Sequence, residues 1–329
     1  MCPTIGFTGD VMLGRLVDQH RRGGRPEAVW GDLTSRLRDL DGLFINLECA
    51  IAAGGTRWER TERAFHFRAH PDWAIDALTD VGVDWVTLAN NHALDYEVAA
   101  LEETLEHLER ADIAAGGAGR DETEACAPRL VTVDDLTVGL LALTDNTSEY
   151  AATTDSPGTC FAPIGEPARR RVRRRLELLE ERSPDLIVAS LHWGPNMTTE
   201  PNEARRAFGR WLVEQGVDVV HGHSAHVFHG VEVIDGRPIM YDTGDFVDDY
   251  AVDPTLRNDH SFLFELTVTD TGTPTQVDLV PTVIRDLAVH RATGRDAEWC
   301  RSTMRSRSAA FDTAFDRVDG ILRIELSDG

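Results

Sequence analysis

Lysine is absent from this 329-residue chain, so all 33 basic residues are arginine, set against 56 acidic residues for a formal net charge of −23. A surface so acidic repels phosphate backbones and anionic lipid heads, which excludes nucleic acid and the membrane surface as partners. It suits a protein living at high salt, where ions screen self-repulsion, although a GC-rich genome would deplete lysine too. Cysteine is scarce. Cys2, Cys49, Cys126, Cys160 and Cys300 are odd in number, widely spread and never in a C-x-x-C pair, which argues against a disulfide framework or a thiolate zinc site. No window approaches the 18 or so apolar residues of a membrane helix. The N-terminus MCPTIGFTGD has neither a basic stretch nor an apolar run of signal-peptide length. A soluble, cytoplasmic protein without membrane insertion is the expectation, and the N-x-S/T matches at Asn146 and Asn196 then carry no meaning.

The 42% hydrophobic content is enough for a packed core. Repeats, low-complexity tracts and linkers are missing, so residues 1–329 read as a single domain. Short apolar runs alternate with helical stretches through the first two thirds. Strands are expected at Thr4–Thr8, Leu43–Leu47, Trp85–Ala89, Asp112–Ala115, Thr137–Leu143, Leu186–Leu191 and Val217–Val220. Helices are expected at Pro71–Val81, Glu97–Ala111, Glu166–Arg182 and Asn202–Glu214. The helix at Glu166–Arg182 carries the run ARRRVRRRLELLEERS, read as a solvated face balancing acidic neighbours, with polyanion binding as the alternative. Val231–Ile234, Asp235-Gly236 and Ile239–Tyr241 read as a hairpin. Beyond it lie further strands at Ser261–Val268 and Gln276–Ile284 and a helix near Asp296–Arg305. Strand and helix alternating, then a strand-rich end, fit a layered α/β sandwich.

Metal-ligand side chains recur at or just past the C-terminal ends of these strands. TIGFTGD delivers Asp10, LFINLE delivers Asn46 and Glu48, and WVTLANNH delivers Asn90, Asn91 and His92. LIVASLHWG delivers His192, and VDVVHGHSAH delivers His221, His223 and His226. Ligands of α/β sheets bind outside the carboxyl ends of the strands, so these groups would converge on one cavity. Imidazole, carboxylate and amide donors without thiolate suit one or two ions of Mn²⁺, Fe²⁺ or Zn²⁺. Such an ion would activate water and let an acidic protein accept an anionic substrate.

GDVMLGR, INLE, LANNHALDY, LHWG, GHSAHVFHGVE and YDTGDFVDDY occur in the order seen in the CapA-like capsule (poly-γ-glutamate) synthesis proteins, a family similar in fold to the calcineurin-like metallophosphatases. The resemblance runs from about Thr4 to Tyr250 and implies a four-layer α-β-β-α sandwich, which residues 251–329 would complete with strands and helices. It implies metal ligands at Asp10, Glu48, Asn91, His192 and His223, and proton transfer by His92 or His226. Arg15 would clamp a substrate anion with its guanidinium fork. Asn46 stands beside the carboxylate motif, and Asp95 and Asp245 would orient imidazoles from behind. Two departures matter. Met12 stands where those phosphatases place a histidine, and Asn46-Leu47-Glu48 replaces an aspartate after glycine, so one metal would lose a ligand. His223 and His226 are also separated by two residues, where that motif has one.

Three functions follow from different classes. One is metal-dependent hydrolysis of an anionic polymer or peptide, and a second is metal-assisted peptide epimerisation. The third is a non-catalytic, polymer-binding accessory role alongside capsule-assembly proteins.

Overall fold

A computed structural model describes residues 2–326. Two sheets dominate it. The first runs in the order Asp316–Val318, Ile321–Glu325, Pro274–Arg285, His260–Val268, Thr4–Val11, Gly42–Leu47, Trp85–Thr87, Ala114–Gly116, and its last four strands are parallel. The second runs Val231–Ile234, Arg237–Met240, Val219–His223, Leu186–His192, Leu136–Thr144, Arg129–Val133, with parallel strands at its centre.

Residue alternation along the strands explains how they stack. A strand sends successive side chains to opposite faces. In Gly42–Leu47, Phe44 joins Ile5, Phe7, Val138, Leu140, Val188 and Val219 in the core between the sheets. Its neighbours Leu43, Ile45 and Leu47 turn the other way, onto Leu78, Leu101 and Leu108 of the helices Pro71–Asp80 and Glu97–Arg110. The second sheet repeats the pattern. Leu141, Leu143 and Leu191 face Val172, Leu176, Phe208 and Leu212 of helices Glu166–Glu180 and Glu203–Glu214. Both faces of each sheet are therefore apolar, and the layers read helix, sheet, sheet, helix, as the family resemblance implies.

The expected elements are present with small shifts. The first strand extends through Val11, the third stops at Thr87, and the fourth begins at Ala114. The hairpin turn at Asp235-Gly236 has positive φ at both positions, 49° and 73°, the geometry that a two-residue turn between twisted strands requires. Residues after 250 add His260–Val268 directly beside the first strand, antiparallel to it. One expectation fails: Cys126 and Cys160 are disulfide-bonded, leaving Cys2, Cys49 and Cys300 free. Their sequence separation of 34 hides a contact made when the segments around Ala118–Gly119 and Gly158–Thr159 pair. Among the described residues no helix is long and apolar enough to cross a membrane.

Candidate metal centre

The same alternation aims the polar strand ends into the crevice between the sheets. Val188 faces inward, and Ser190 and His192 follow it on that face. Val219 faces inward, and His221 and His223 follow it. On the first sheet, Phe44 is followed by Asn46 and then Glu48. Asp10 is different: counting by twos from Phe7 would leave it on the wrong side. A register irregularity between Phe7 and Asp10 inverts the parity, which is why Phe7 lies in the inner core while Val11, four residues on, lies in the outer one. Gly9 makes this bend possible, because a Cβ there would meet the Gly244 carbonyl oxygen at 1.9 Å.

Asp10 is the hub. Its carboxylate, an imidazole nitrogen of His192 and one of His223 all lie within 4.8 Å of one another; so do its carboxylate and atoms of Glu48, His226 and Asp245. Asn46 Nδ2 donates to Asp10 Oδ1 at 2.7 Å, and Asn90 locks Asn46 in place by donating to its Oδ1 at 2.9 Å. His192 Nδ1 and His223 Nδ1 stand 2.8 Å apart, and His223 Nε2 rests 2.9 Å from the Ser190 hydroxyl. His226 Nδ1 contacts Asp245 Oδ1 at 2.8 Å and Asp10 Oδ2 at 3.1 Å, with Glu48 Oε2 4.0 Å away. His226 and Ser224 hold φ values of 59° and 116°, left-handed conformations that non-glycine residues avoid unless the surroundings enforce them.

His92 lies at the edge of this cage. Its Nε2 is 3.9 Å from Glu48 Oε1, and its ring stacks on Phe67 with centroids 3.9 Å apart. Asp95 Oδ2 sits 2.5 Å from His92 Nδ1 and is itself fixed by the Phe67 N–H at 2.7 Å, while the Tyr150 hydroxyl donates to Oδ1 at 3.0 Å. His92 and His226 line a cavity of about 420 Å³ together with Arg15, Phe65, Phe67 and Tyr250. Arg15 lies over the rings of Phe65 and Phe67 at 5.0 and 5.7 Å, and its Nε is 3.3 Å from Asp249. Asn91 is separate from these contacts: its amide oxygen is buried without a partner, and its carbonyl accepts from Arg63.

The electrostatics are those of a group of anions and neutral imidazoles forced together. Burial pushes His192 down to about 3 and His223 well below the usual imidazole range, so both are neutral and offer lone pairs. Burial, then the neighbouring Asp10, raises Glu48 well above the carboxylate range; burial raises Asp245 likewise. For Asp10 burial acts in the same sense, but contact with His226 and the fields of His192 and His223 outweigh it and hold the carboxyl low. His226 is pushed up against its burial by Asp245 and Glu48.

Three buried carboxylate oxygens of the cage have no hydrogen bond, Asp10 Oδ2, Glu48 Oε1 and Asp245 Oδ2, although Asp10 Oδ2 keeps its ion contact with His226; Asn91 Oδ1, outside the cage contacts, is also without one. Unpartnered buried carboxylate oxygens are costly, and a divalent cation satisfies several at once. The mixed oxygen and nitrogen donors fit a hard-to-borderline ion. Met12, in the position where the resemblance puts a histidine, packs into the outer apolar core and supplies no imidazole to the cage.

The sequence reading passed over Tyr250 and Asp242 and gave His221, which it named, no role in the site. Tyr250 donates to Glu48 Oε2 at 3.3 Å, and His221 Nε2 meets the Thr8 carbonyl at 2.7 Å across the two sheets. Asp242 is buried and accepts the N–H groups of Ala225 and Gly244 at 2.7 and 2.9 Å, shaping the loop that carries His226. All three lie within the quoted motifs, whose own residue types were the available signal.

The chain is similar to known proteins along most of its length. A family model described as "Bacterial capsule synthesis protein PGA_cap" matches residues 4–250. A "Probable polyglutamine synthesis accessory protein" of Mycobacterium tuberculosis is 33% identical, with 98% of this chain and 95% of that protein covered. The "PGA biosynthesis protein CapA" of Bacillus subtilis is 26% identical over 86% of this chain and 77% of its own length. Among solved structures, a hypothetical protein of Thermus thermophilus superposes with a TM-score of 0.51 at 18% identity, covering 88% of this chain and all of that one. A putative 5'-nucleotidase of Staphylococcus aureus gives 0.50 at 14% identity, over 92% of this chain and 58% of that one, a likeness of fold. With the family model spanning Thr4 to Tyr250, this chain belongs to the bacterial capsule synthesis protein family PGA_cap.

Proposed function

We propose that this protein is a metal-dependent hydrolase of an anionic polymer or peptide, acting in poly-γ-glutamate capsule synthesis beside capsule-assembly proteins. The observation that carries the reading is the convergence of three buried carboxylate oxygens without hydrogen bonds, of Asp10, Glu48 and Asp245, with the imidazoles of His192 and His223 at one crevice. Asp10, His192 and His223 would hold one ion, and Asp10, Glu48, His226 and Asp245 a second, with the Asn91 amide oxygen as a further donor. One or two ions of Mn, Fe or Zn fit the donor set. When bound, the metal supplies an activated water and polarises the scissile group.

The chain's own residues do the rest. The cation of Arg15, spread over two phenylalanine rings, binds the substrate anion in exchange for Asp249. Asp95 fixes His92 through Nδ1, so that Nε2 is left to carry a proton to the leaving group. Phe67 and Tyr250 wall this imidazole from bulk water.

A second reading, peptide epimerisation, is favoured by one observation. His92 and His226, each backed by an aspartate, line the same cavity, as proton removal on one face and return on the other would require.

The test begins with the metal content of protein purified without chelators, wild type beside an Asp10→Ala/His223→Ala double variant. Bound metal lost in the variant, with Mn²⁺-dependent cleavage of phosphoester or amide substrates, is the expected result. Metal-free wild type without such activity refutes the hydrolase reading. Deuterium entering a peptide α-carbon in D₂O, without cleavage, selects epimerisation.

A further inference from the structure

The arginine-rich helix Glu166–Glu180 carries a feature that the metal centre does not use. Its Ala168, Val172, Leu176 and Leu179 are buried against the second sheet, on the face of that sheet opposite to His192 and His223. Its exposed side forms one wall of a groove of about 570 Å³, in which Arg170, Arg171, Arg174 and Arg175 face a single carboxylate, Glu122. Arg171 pairs with Glu122 at 2.7 Å, and Arg175 Nε donates to the Cys126 carbonyl at 2.6 Å. Arg170 and Arg174 have no acidic partner among the described residues.

Acidic residues outnumber arginines 56 to 33, and many arginines elsewhere are paired, as in Arg36–Glu265, Arg205–Asp145 and Arg323–Asp278, whereas here four crowd one groove with a single carboxylate. Four guanidinium groups at i, i+1, i+4 and i+5 form two adjacent rows that repel one another. After burial, Arg171 and Arg174 are the main causes that lower the Arg175 guanidinium below its ordinary value. A local cationic field is thus kept on a strongly anionic protein, with the balancing expected from sequence met by Arg171–Glu122 and Arg173–Glu166 but not by Arg170 or Arg174.

We propose that this groove binds an acidic polypeptide strand, with side-chain carboxylates held by Arg170, Arg171, Arg174 and Arg175. The spacing fits. Side chains on one face of an extended strand lie about 6.7 Å apart, and i, i+4 positions on a helix lie about 6 Å apart. A guanidinium fork takes a carboxylate through two parallel hydrogen bonds. Leu178, 44% exposed at the groove, offers apolar contact to the methylenes of glutamate side chains. A nucleic acid would meet the same arginines, but its further phosphates would lie over a protein of net charge −23. The far wall is tied down by the Cys126–Cys160 bond, and Arg171 Nη1 rests 3.3 Å from Cys126 Sγ.

The experiment is fluorescence anisotropy with a labelled deca-glutamate at low salt, on the full chain. Arg170→Ala/Arg174→Ala removes two exposed groups without structural partners, and should weaken binding about tenfold. Affinity should fall as salt rises. The proposal is overturned by two results: no binding by wild type, or equal binding by the double variant. Tighter binding of a single-stranded oligonucleotide of equal charge would overturn it too, in favour of a phosphate polymer.

Discussion

Replacing Glu48 by glutamine separates a metal cage from a structural ion-pair lattice, because the two predict opposite signs. In the metal-free protein the Glu48 carboxylate lies among Asp10 and Asp245, with ligand atoms within 4.8 Å, and each opposes its charge by about 3 kcal/mol at an effective permittivity near 20. His226, 4.0 Å away, returns about 4 kcal/mol of attraction on the same scale. The remainder is a net repulsion of about 2–3 kcal/mol. Protonation of Glu48 relieves part of it, so Glu48→Gln should be neutral or should stabilise the metal-free protein by up to that amount. In a chain of this length 1 kcal/mol corresponds to about 2 °C, so calorimetry after chelation should show an unchanged or higher Tm, by at most about 5 °C. With Mn²⁺ or Zn²⁺ added the order should reverse. Wild type gains about 2.7 kcal/mol at a metal concentration of about 100 Kd, and the variant, short of one anionic ligand, should gain much less. A metal-free Glu48→Gln that melts several degrees below wild type, or an undiminished metal-induced shift in Tm, would refute the cage.

Three further outcomes follow from the same groups. Glu48 and Asp245 are pushed upward by burial, and a metal would bind their ionised forms, so metal binding should release protons and tighten as pH rises; titration calorimetry in two buffers of different ionisation enthalpy reads this, and identical heats would contradict it. His229, buried with Nε2 at 3.0 Å from the Thr198 carbonyl, is pushed down to about 3. A depressed imidazole stabilises the fold above pH 6.5 and loses that contribution as pH falls toward 3, about 2 kcal/mol by pH 5; denaturant melts of His229→Gln should show a pH slope shallower by that amount, and an equal slope would sink the assignment. Thiol titration of the denatured, unreduced protein should count three free cysteines, Cys2, Cys49 and Cys300; five would dissolve the Cys126–Cys160 bond.

Much of the architecture was legible because strand alternation and helical spacing are local. Phe44 against Leu43 and Ile45, or Val188 against Ala189 and Leu191, assign faces by counting residues. The same counting places Ser190 with His192, and Asn46 with Glu48, at strand ends where α/β sheets bind ligands. What counting misses is any break in the count. The irregularity between Phe7 and Asp10 turns the central carboxylate into the crevice, and it depends on the Gly244 backbone pressing against Gly9 from 235 residues away in the chain.

Partners distant in sequence were equally hidden. Asp245 meets His226 and Asp10 because Asp245–Val247 lies parallel to the first strand, a pairing that no spacing announces. Cys126 finds Cys160, and Tyr250 reaches Glu48, for the same reason. Which residue types stand at which strand ends could be read along the chain, since pattern and chemistry there are properties of neighbours. Which oxygens lie buried without hydrogen bonds and which arginines lack a carboxylate emerged with the fold, since burial and charge balance depend on everything that packs around a group.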